Sequence, residues 1–311
     1  MKLSLAIGDY QIVRPLLEGR VQVEGAELVI LTDMNSRERH ERFFRGQFDL
    51  AEVSLSSYLA ARDQGQAIRA LPVFPLRRFR HGYIFIHADK GIRNPIDLAG
   101  KRIGVSSFQE TGPLWMRGIL QEFYGVPLAS IDWLYEAQGN VPQKMSSSLS
   151  VTPIPPGMTG STALAEGIID AYICSNAPAC MADGDPKVRR LFENPRLEET
   201  AFFLRTGLFP IMHVISVKAH LLEKTPRLAG TVFAAFEAAR AAGIESAWEA
   251  QQMPLAWQGA AMERERDILG PDPWAYGMTD ANTRNLETLI GYAHSQGMIS
   301  RRWQPHELFA T

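Results

Sequence analysis

The chain has little cysteine. Two residues in 311, Cys174 and Cys180, are too few for a disulfide framework or a four-thiolate metal site. They lie six apart in an apolar stretch and read as buried or idle thiols, with a redox pair as the alternative. It also lacks an excess of positive charge. Lys and Arg number 32 against 34 Asp and Glu, a formal net charge of −2. That leaves no electrostatic footprint for nucleic acid or an anionic membrane. No uninterrupted apolar run approaches the roughly 20 residues of a membrane span. The opening MKLSLAIGDY carries one Lys and a short apolar segment. A secretory leader needs a basic region, roughly 7–15 apolar residues and a small-residue cleavage site. The expectation is a cytoplasmic protein, with no signal peptide in this chain. Phosphate-loop, GxGxxG, HExxH and GxSxG patterns are all missing, so nucleotide, zincin and esterase readings lose their support.

What is present describes a globular α/β protein. Hydrophobic residues make up 46% and charged residues 21%, enough apolar surface for a sizeable core. At about 100–200 residues per domain, the length predicts two domains. Residues 2–7 alternate and stop at Gly8-Asp9, as a strand feeding a loop does. Residues 21–31 predict a strand region around Gly25. Residues 36–47 predict a helix, with Ser36 as N-cap and Glu38 in its first turn. FDLAEVS at 48–54 predicts a strand that runs into a polar loop from Ser54 to Ser57. Residues 81–88 predict another strand. Residues 94–112 predict a turn, a short helix, a strand at 102–106 and a polar loop. Helices are predicted over 113–124, 219–249 and 280–296, the last with Leu286, Leu289 and Ile290 inward. Residues 141–162 hold four Pro and five Ser without a period and read as an ordered loop or lid. Strands alternating with helices imply mostly parallel sheets covered by helices.

One internal echo stands out. FRGQFDLAEV at 44–53 is similar to AEGIIDAYIC at 165–174, aligning Gly46 with Gly167 and Asp49 with Asp170. Each is a helix end, a Gly cap and an apolar strand. Two similar lobes would place a ligand cleft at the carboxyl ends of their strands.

The densest polar cluster is LRRFRHG at 76–82. Arg77 and Arg80 are candidates for gripping a substrate carboxylate, which Arg holds through a planar, bidentate fork. His81 is a candidate acid–base group, because an imidazole titrates near neutrality. His213, in TGLFPIMHVISV, is a second candidate for acid–base work or anion binding. His40 and His87 read as surface or edge residues. His220, His294 and His306 have no companions at a metal-binding spacing. In the loop 106–112, free N–H groups at a helix start favour anions. Ser107, Gln109 and Thr111 are candidate substrate contacts there, with Ser107 or Thr111 as a plain N-cap in the alternative. Glu110 is a base candidate or a complement to the helix dipole. Asp9 and Tyr10 after the first strand, and Ser54 and Ser56 in the loop after 48–54, face the same predicted crevice.

The stretch 72–126 combines an R-x-FRH segment, a GI-x-x-P-x-DLxGKR-x-GV turn and strand, a Q-x-T loop and a W-x-RG-x-L helix. With TGLFPIMH at 206–213 and EGIIDA at 166–171, it resembles the 4,5-dihydroxyphthalate decarboxylase family. The resemblance implies a two-lobed type II periplasmic-binding-protein-like fold: mixed, mostly parallel sheets flanked by helices, with the ligand cleft between the lobes. It implies that 1–85 and 208–311 build one lobe and 86–207 the other. The chain departs from the family pattern at Ser106-Ser107-Phe108, at Gly112 and through 138–162.

The implied activity is that of a lyase of aromatic compound catabolism, decarboxylating 4,5-dihydroxyphthalate to protocatechuate and carbon dioxide. In this reading His81 and His213 share acid and base roles, and Glu110 orients a histidine or takes the phenol proton. Arg77 and Arg80 hold the retained carboxylate. The chemistry calls for no organic cofactor and leaves a divalent metal open. The expected partner is a small aromatic or anionic carboxylate. Neither nucleic acid nor membrane is expected, and the oligomeric state is undetermined. The alternatives are a non-catalytic solute-binding protein for such a ligand, or another small-metabolite enzyme on the same scaffold.

Overall fold

The alternating apolar segments become eleven strands in the computed structural model, which describes residues 1–142, 149–249 and 253–310. They are Lys2–Ala6 (β1), Glu27–Leu31 (β2), Leu50–Ser54 (β3), Ile68–Leu71 (β4), Ile84–His87 (β5), Arg102–Ser107 (β6), Asp132–Ala137 (β7), Ser150–Pro153 (β8), Ala171–Ile173 (β9), Val188–Arg190 (β10) and His213–Lys218 (β11). One sheet runs β2-β1-β3-β11-β4 and the other β10-β5-β9-β6-β7-β8. In the first, β1 is parallel to β2 and β3, and β11 is antiparallel to β3 and β4. In the second, β9, β6, β7 and β8 are parallel and β5 is antiparallel to β9 and β10.

Each sheet belongs to one of two compact units. The first comprises residues 1–77, 211–287 and 303–311, the second 78–210 and 288–302. The sequence expectation placed the changes at 85/86 and 207/208 and kept 288–302 with the first lobe. Gly118 shows why 288–302 goes with the second unit. A Cβ there would stand 2.2 Å from the Tyr292 ring, so the glycine is what lets Tyr292 seat against the helix Thr111–Tyr124.

Several local expectations change. The N-cap of the helix Ser36–Phe44 is Asn35, whose side chain accepts from Glu38 N, and not Ser36. Ser54 to Ser57 is not a loop. Leu55, Tyr58 and Leu59 repeat at i, i+3 and i+4, and their burial winds the segment into the helix Leu55–Asp63. The strand read at 81–88 starts with a 3-10 turn, His81–Tyr83, before β5. Residues 141–162 include β8 and the start of the helix Gly160–Ala165, which Thr159 caps. The lid reading of 143–148 lies outside the described residues. Among the described residues, no helix is long and apolar enough to cross a membrane.

The internal echo is structural. Gly46 and Gly167 both take positive φ, 82° and 69°. Asp49 accepts from Ser4 N of β1 at 2.9 Å, and Asp170 accepts from Arg102 N of β6 at 2.9 Å. In both units a glycine ends a helix, and an aspartate then fastens the entering strand to its parallel neighbour.

Candidate functional site

Where the chain leaves β1 beside β3, a single carboxylate gathers several polar groups of the first unit. Glu52 sits in the middle of β3 with no solvent exposure. Burial of a charge is costly unless hydrogen bonds and countercharges meet it. Here they do. Its Oε2 accepts from Gly8 N at 2.8 Å and pairs with Arg39 at 2.8 Å. Its Oε1 accepts from the Tyr10 hydroxyl at 2.5 Å and bonds His213 Nδ1. Burial alone would push the Glu52 carboxyl up. The charge and hydrogen bond of His213, with Arg39 and Tyr10, outweigh it and hold the group at about 2.

Strand register explains the pairing. His213 lies opposite Ser54 and Glu52 opposite Ile215 on antiparallel neighbours, so Glu52 and His213 are diagonal partners on one sheet face. With Nδ1–H directed to Glu52, Nε2 is the nitrogen left to exchange a proton. Ser54 and Ser56 are buried beside this edge, their hydroxyls 3.1 Å apart.

His40 corrects its expected surface position. It is buried on the inner face of the helix Ser36–Phe44, edge-on to the His213 ring at 5.1 Å. Burial, with the nearby His213 charge, keeps its ring well below the usual imidazole range. His87 is also buried, and its Nδ1 accepts from Asp89 N.

The second unit has its own polar group at the ends of β6 and β9. Glu110 accepts from the hydroxyls of Ser106 and Ser175. It precedes the helix Thr111–Tyr124 as its N-cap residue, the place expected of Ser107 or Thr111. Thr111 is buried in the first turn. Arg80 is buried, donates to Ser175 O at 3.0 Å, and lies over Gly112, where a Cβ would come within 3.1 Å of its Nε. Burial lowers the Arg80 guanidinium, and Glu110 works against that.

Other expected site residues are spent on structure. His81 has no exposure and sits among Tyr124, Phe192 and Phe202, and among the described residues neither ring nitrogen has a hydrogen-bond partner. Burial lowers its imidazole to about 4. A ring sealed in an aromatic shell is poorly placed to exchange protons with a ligand. Arg77 donates to Ala275 O at 3.0 Å and Asn282 Oδ1 at 2.5 Å, bracing the segment 275–282. Gln109 clamps Val141 through both its amide atoms. Asp9 forms a half-exposed ion pair with Arg14 at 3.0 Å. Ser107 ends β6 opposite Ala137. Cys174 and Cys180 are free thiols, and burial raises Cys174. Among the described residues, no three His, Cys, Asp or Glu side chains form a group that could hold a metal ion.

Sequence reasoning missed Glu52, Arg39 and the buried role of His40. One signal was available for Glu52, a lone charge inside the otherwise apolar run LAEV.

Residues 22–132 match the family model described as NMT1/THI5 like. Over 322 aligned positions the chain is 37% identical to a 4,5-dihydroxyphthalate decarboxylase of Comamonas testosteroni, covering 99% of this chain and 96% of that protein. A 4,5-dihydroxyphthalate decarboxylase of Pseudomonas putida is 37% identical over 207 positions, covering 63% of this chain and 79% of its own. Among solved structures, the periplasmic aliphatic sulphonate binding protein SsuA of Escherichia coli is similar over 99% of this chain and 97% of its own, with a TM-score of 0.57 at 14% identity. That likeness shows the fold, an α/β periplasmic-binding-protein-like architecture.

Proposed function

The chain belongs to the 4,5-dihydroxyphthalate decarboxylase family, a carboxy-lyase family, and we propose that it removes one carboxylate from a dihydroxyphthalate-like acid with His213 as the proton-transfer group. One observation carries this assignment. Glu52 is buried and both of its oxygens are occupied, so it orients a histidine rather than reaching a substrate. His213, its side chain 12% exposed, is the member of the pair that solvent reaches.

The substrate chemistry supplies the role. In 4,5-dihydroxyphthalate each carboxylate is para to a hydroxyl. When that hydroxyl loses its proton, electron density moves to the ring carbon that bears the leaving carboxylate. That carbon takes a proton. The carbon–carboxylate bond then breaks, carbon dioxide leaves, and the electron pair restores the aromatic ring. The hydroxyl regains its proton, so one proton is consumed and a dihydroxybenzoate is formed. His213 Nε2 exchanges a proton in this sequence, and Glu52 stabilises the imidazolium that forms. Tyr10 and Gly8 fix the carboxylate. Arg80 is the anion contact proposed for the second unit, with a carboxylate as its ligand.

The test is incubation of the purified protein with 4,5-dihydroxyphthalate, following carbon dioxide release and product by chromatography. Wild type turns over. His213→Gln loses about 10²–10⁴-fold in kcat, as removal of a positioned acid–base group does, while calorimetric affinity stays within a few-fold. Binding by wild type without product would overturn the reading in favour of a solute-binding protein.

A further inference from the structure

The helix Ser36–Phe44 spends its arginines in two ways. Arg37 and Arg42 pair with Glu41 and Glu38 on the surface at 3.2 and 3.3 Å. Arg45 also reaches Glu41. Arg39, between them in sequence, turns inward and is 2% exposed. It donates to Met34 O and Ser36 Oγ at 3.2 Å each, which fixes the guanidinium against Glu52. An inward arginine is costly, and an apolar residue would pack there at less cost.

The Glu52 carboxylate is divided between its two sides. Oε2 takes Arg39 and Gly8 N, and Oε1 takes Tyr10 and His213. One negative charge therefore serves both Arg39 and His213. We infer that Arg39 is a positioning residue that sets, through the shared Glu52 carboxylate, how tightly His213 holds its proton. The inference rests on the reading of His213 as the proton-transfer group.

Arginine stays charged at every working pH. With Arg39 in place, part of the Glu52 field is offset before it reaches His213. Without it, the whole carboxylate charge faces the imidazole, and the proton on Nε2 is held to higher pH. Among the described residues, the other titratable groups beside His213 and its carboxylate are Tyr10, from the segment after β1, His40 and Tyr276. Tyr10 donates its hydroxyl to Glu52, burial keeps the His40 ring well below the usual imidazole range, and burial pushes the Tyr276 hydroxyl up. Arg39 is thus the fixed cation of this group.

The experiment follows the His213 ring by nitrogen-15 NMR through a pH titration of the full chain. It compares wild type with Arg39→Gln, Arg39→Lys, Glu52→Gln and the Arg39→Gln/Glu52→Gln double variant. The titration midpoint moves up by about one pH unit in Arg39→Gln, the size expected for a nearby charge. It returns toward wild type in Arg39→Lys. The acid limb of kcat/KM moves in the same direction. A folded Arg39→Gln with an unmoved midpoint overturns the inference. If Arg39→Gln does not fold, Glu52→Gln and the double variant decide. The midpoints of these two agree, because the carboxylate through which Arg39 acts is gone from both, and a midpoint about one unit higher in the double variant shows direct repulsion between Arg39 and His213 and overturns the inference. A shifted midpoint in a protein that shows no turnover upholds the role of Arg39 while rejecting the decarboxylase reading.

Discussion

The two units use the same strand plan to different ends. Where β3 carries Glu52 opposite Ile215, β9 carries Ile173 opposite Ile84. The fastening aspartates Asp49 and Asp170 hold equivalent places, and so do the glycines before them. The shared features are backbone devices that any parallel strand pair needs. The difference is one side chain, and it decides whether a sheet buries a carboxylate or a hydrocarbon. In the first unit Arg39, Tyr10, Gly8 N and His213 converge on that carboxylate. In the second, Ile173 is buried with apolar company, and the polar group gathers one step further along, at Ser175 and Glu110. The repeated scaffold therefore places a buried, hydrogen-bonded carboxylate at this strand position in the first unit and a hydrocarbon in the second.

The comparison breaks most sharply at Glu52. Glu52→Gln keeps the shape but removes the charge that orients His213. Activity should fall by about 10²–10³-fold, measured as carbon dioxide release. The unpaired Arg39 left behind should also lower the urea midpoint. Retention of more than a tenth of wild-type kcat would mean that Glu52 is only a structural ion-pair partner. The reverse exchange tests the other unit. Ile173→Glu places a carboxylate at the equivalent strand position without the four donors. The expected loss is about 3–5 kcal/mol in urea unfolding, the cost of a buried charge without a partner. An unchanged midpoint would show that the second unit can also accommodate a carboxylate there.

A finer comparison lies in the two aspartates. Asp49→Asn and Asp170→Asn should each cost about 1–2 kcal/mol, because each loses the charge that strengthens its hydrogen bond to a backbone N–H. They should differ in salt. Asp170 also pairs with Arg102 at 2.9 Å, whose side chain is 43% exposed, whereas Asp49 takes its second bond from the neutral Ser4 hydroxyl at 2.9 Å. Raising salt should shrink the Asp170→Asn penalty and leave that of Asp49→Asn unchanged. Equal salt dependence would remove the electrostatic distinction between the two fasteners.

These contrasts also mark what the chain reveals by itself. The echo was legible because a helix-ending glycine and a strand-entry aspartate act on the backbone within a few residues. The Glu52–His213 pair was only half legible. His213 stood in a recognisable segment, but Glu52 lies 161 residues away and meets it only through the register of β3 with β11. Arg39 and His40 were hidden for a different reason. SRERHERFF has its apolar side chains, Phe43 and Phe44, only at its end, so nothing in its spacing marks Arg39 and His40 as inward. Arg77 and His81 show the opposite case, since both stand out in the sequence as site candidates and both are buried against distant segments. A run of cations looks like a site until Asn282, Ala275 and the aromatic rings of Tyr124, Phe192 and Phe202 are brought to it from distant segments.

His81 gives the smallest expected effect at neutral pH and separates the two histidines most cleanly. His213 is hydrogen-bonded to a carboxylate, whereas His81 is enclosed by hydrocarbon and aromatic rings. Burial lowers the His81 imidazole to about 4 in the folded chain, against roughly 6.5 when unfolded. Between those values the unfolded chain binds a proton that the folded chain refuses. Stability should therefore fall as pH drops from about 6.5 to about 4. His81→Phe fills the same aromatic shell without a titrating group. At pH 7.5 it should match wild type in kcat and in urea midpoint. Below about pH 6.5 it should become the more stable of the two, by a margin that widens down to about pH 4. Parallel midpoints through that range would show that His81 is not the buried neutral ring described here. A large loss of kcat at pH 7.5 would return His81 to the acid–base chemistry and leave His213 without its sole claim to it.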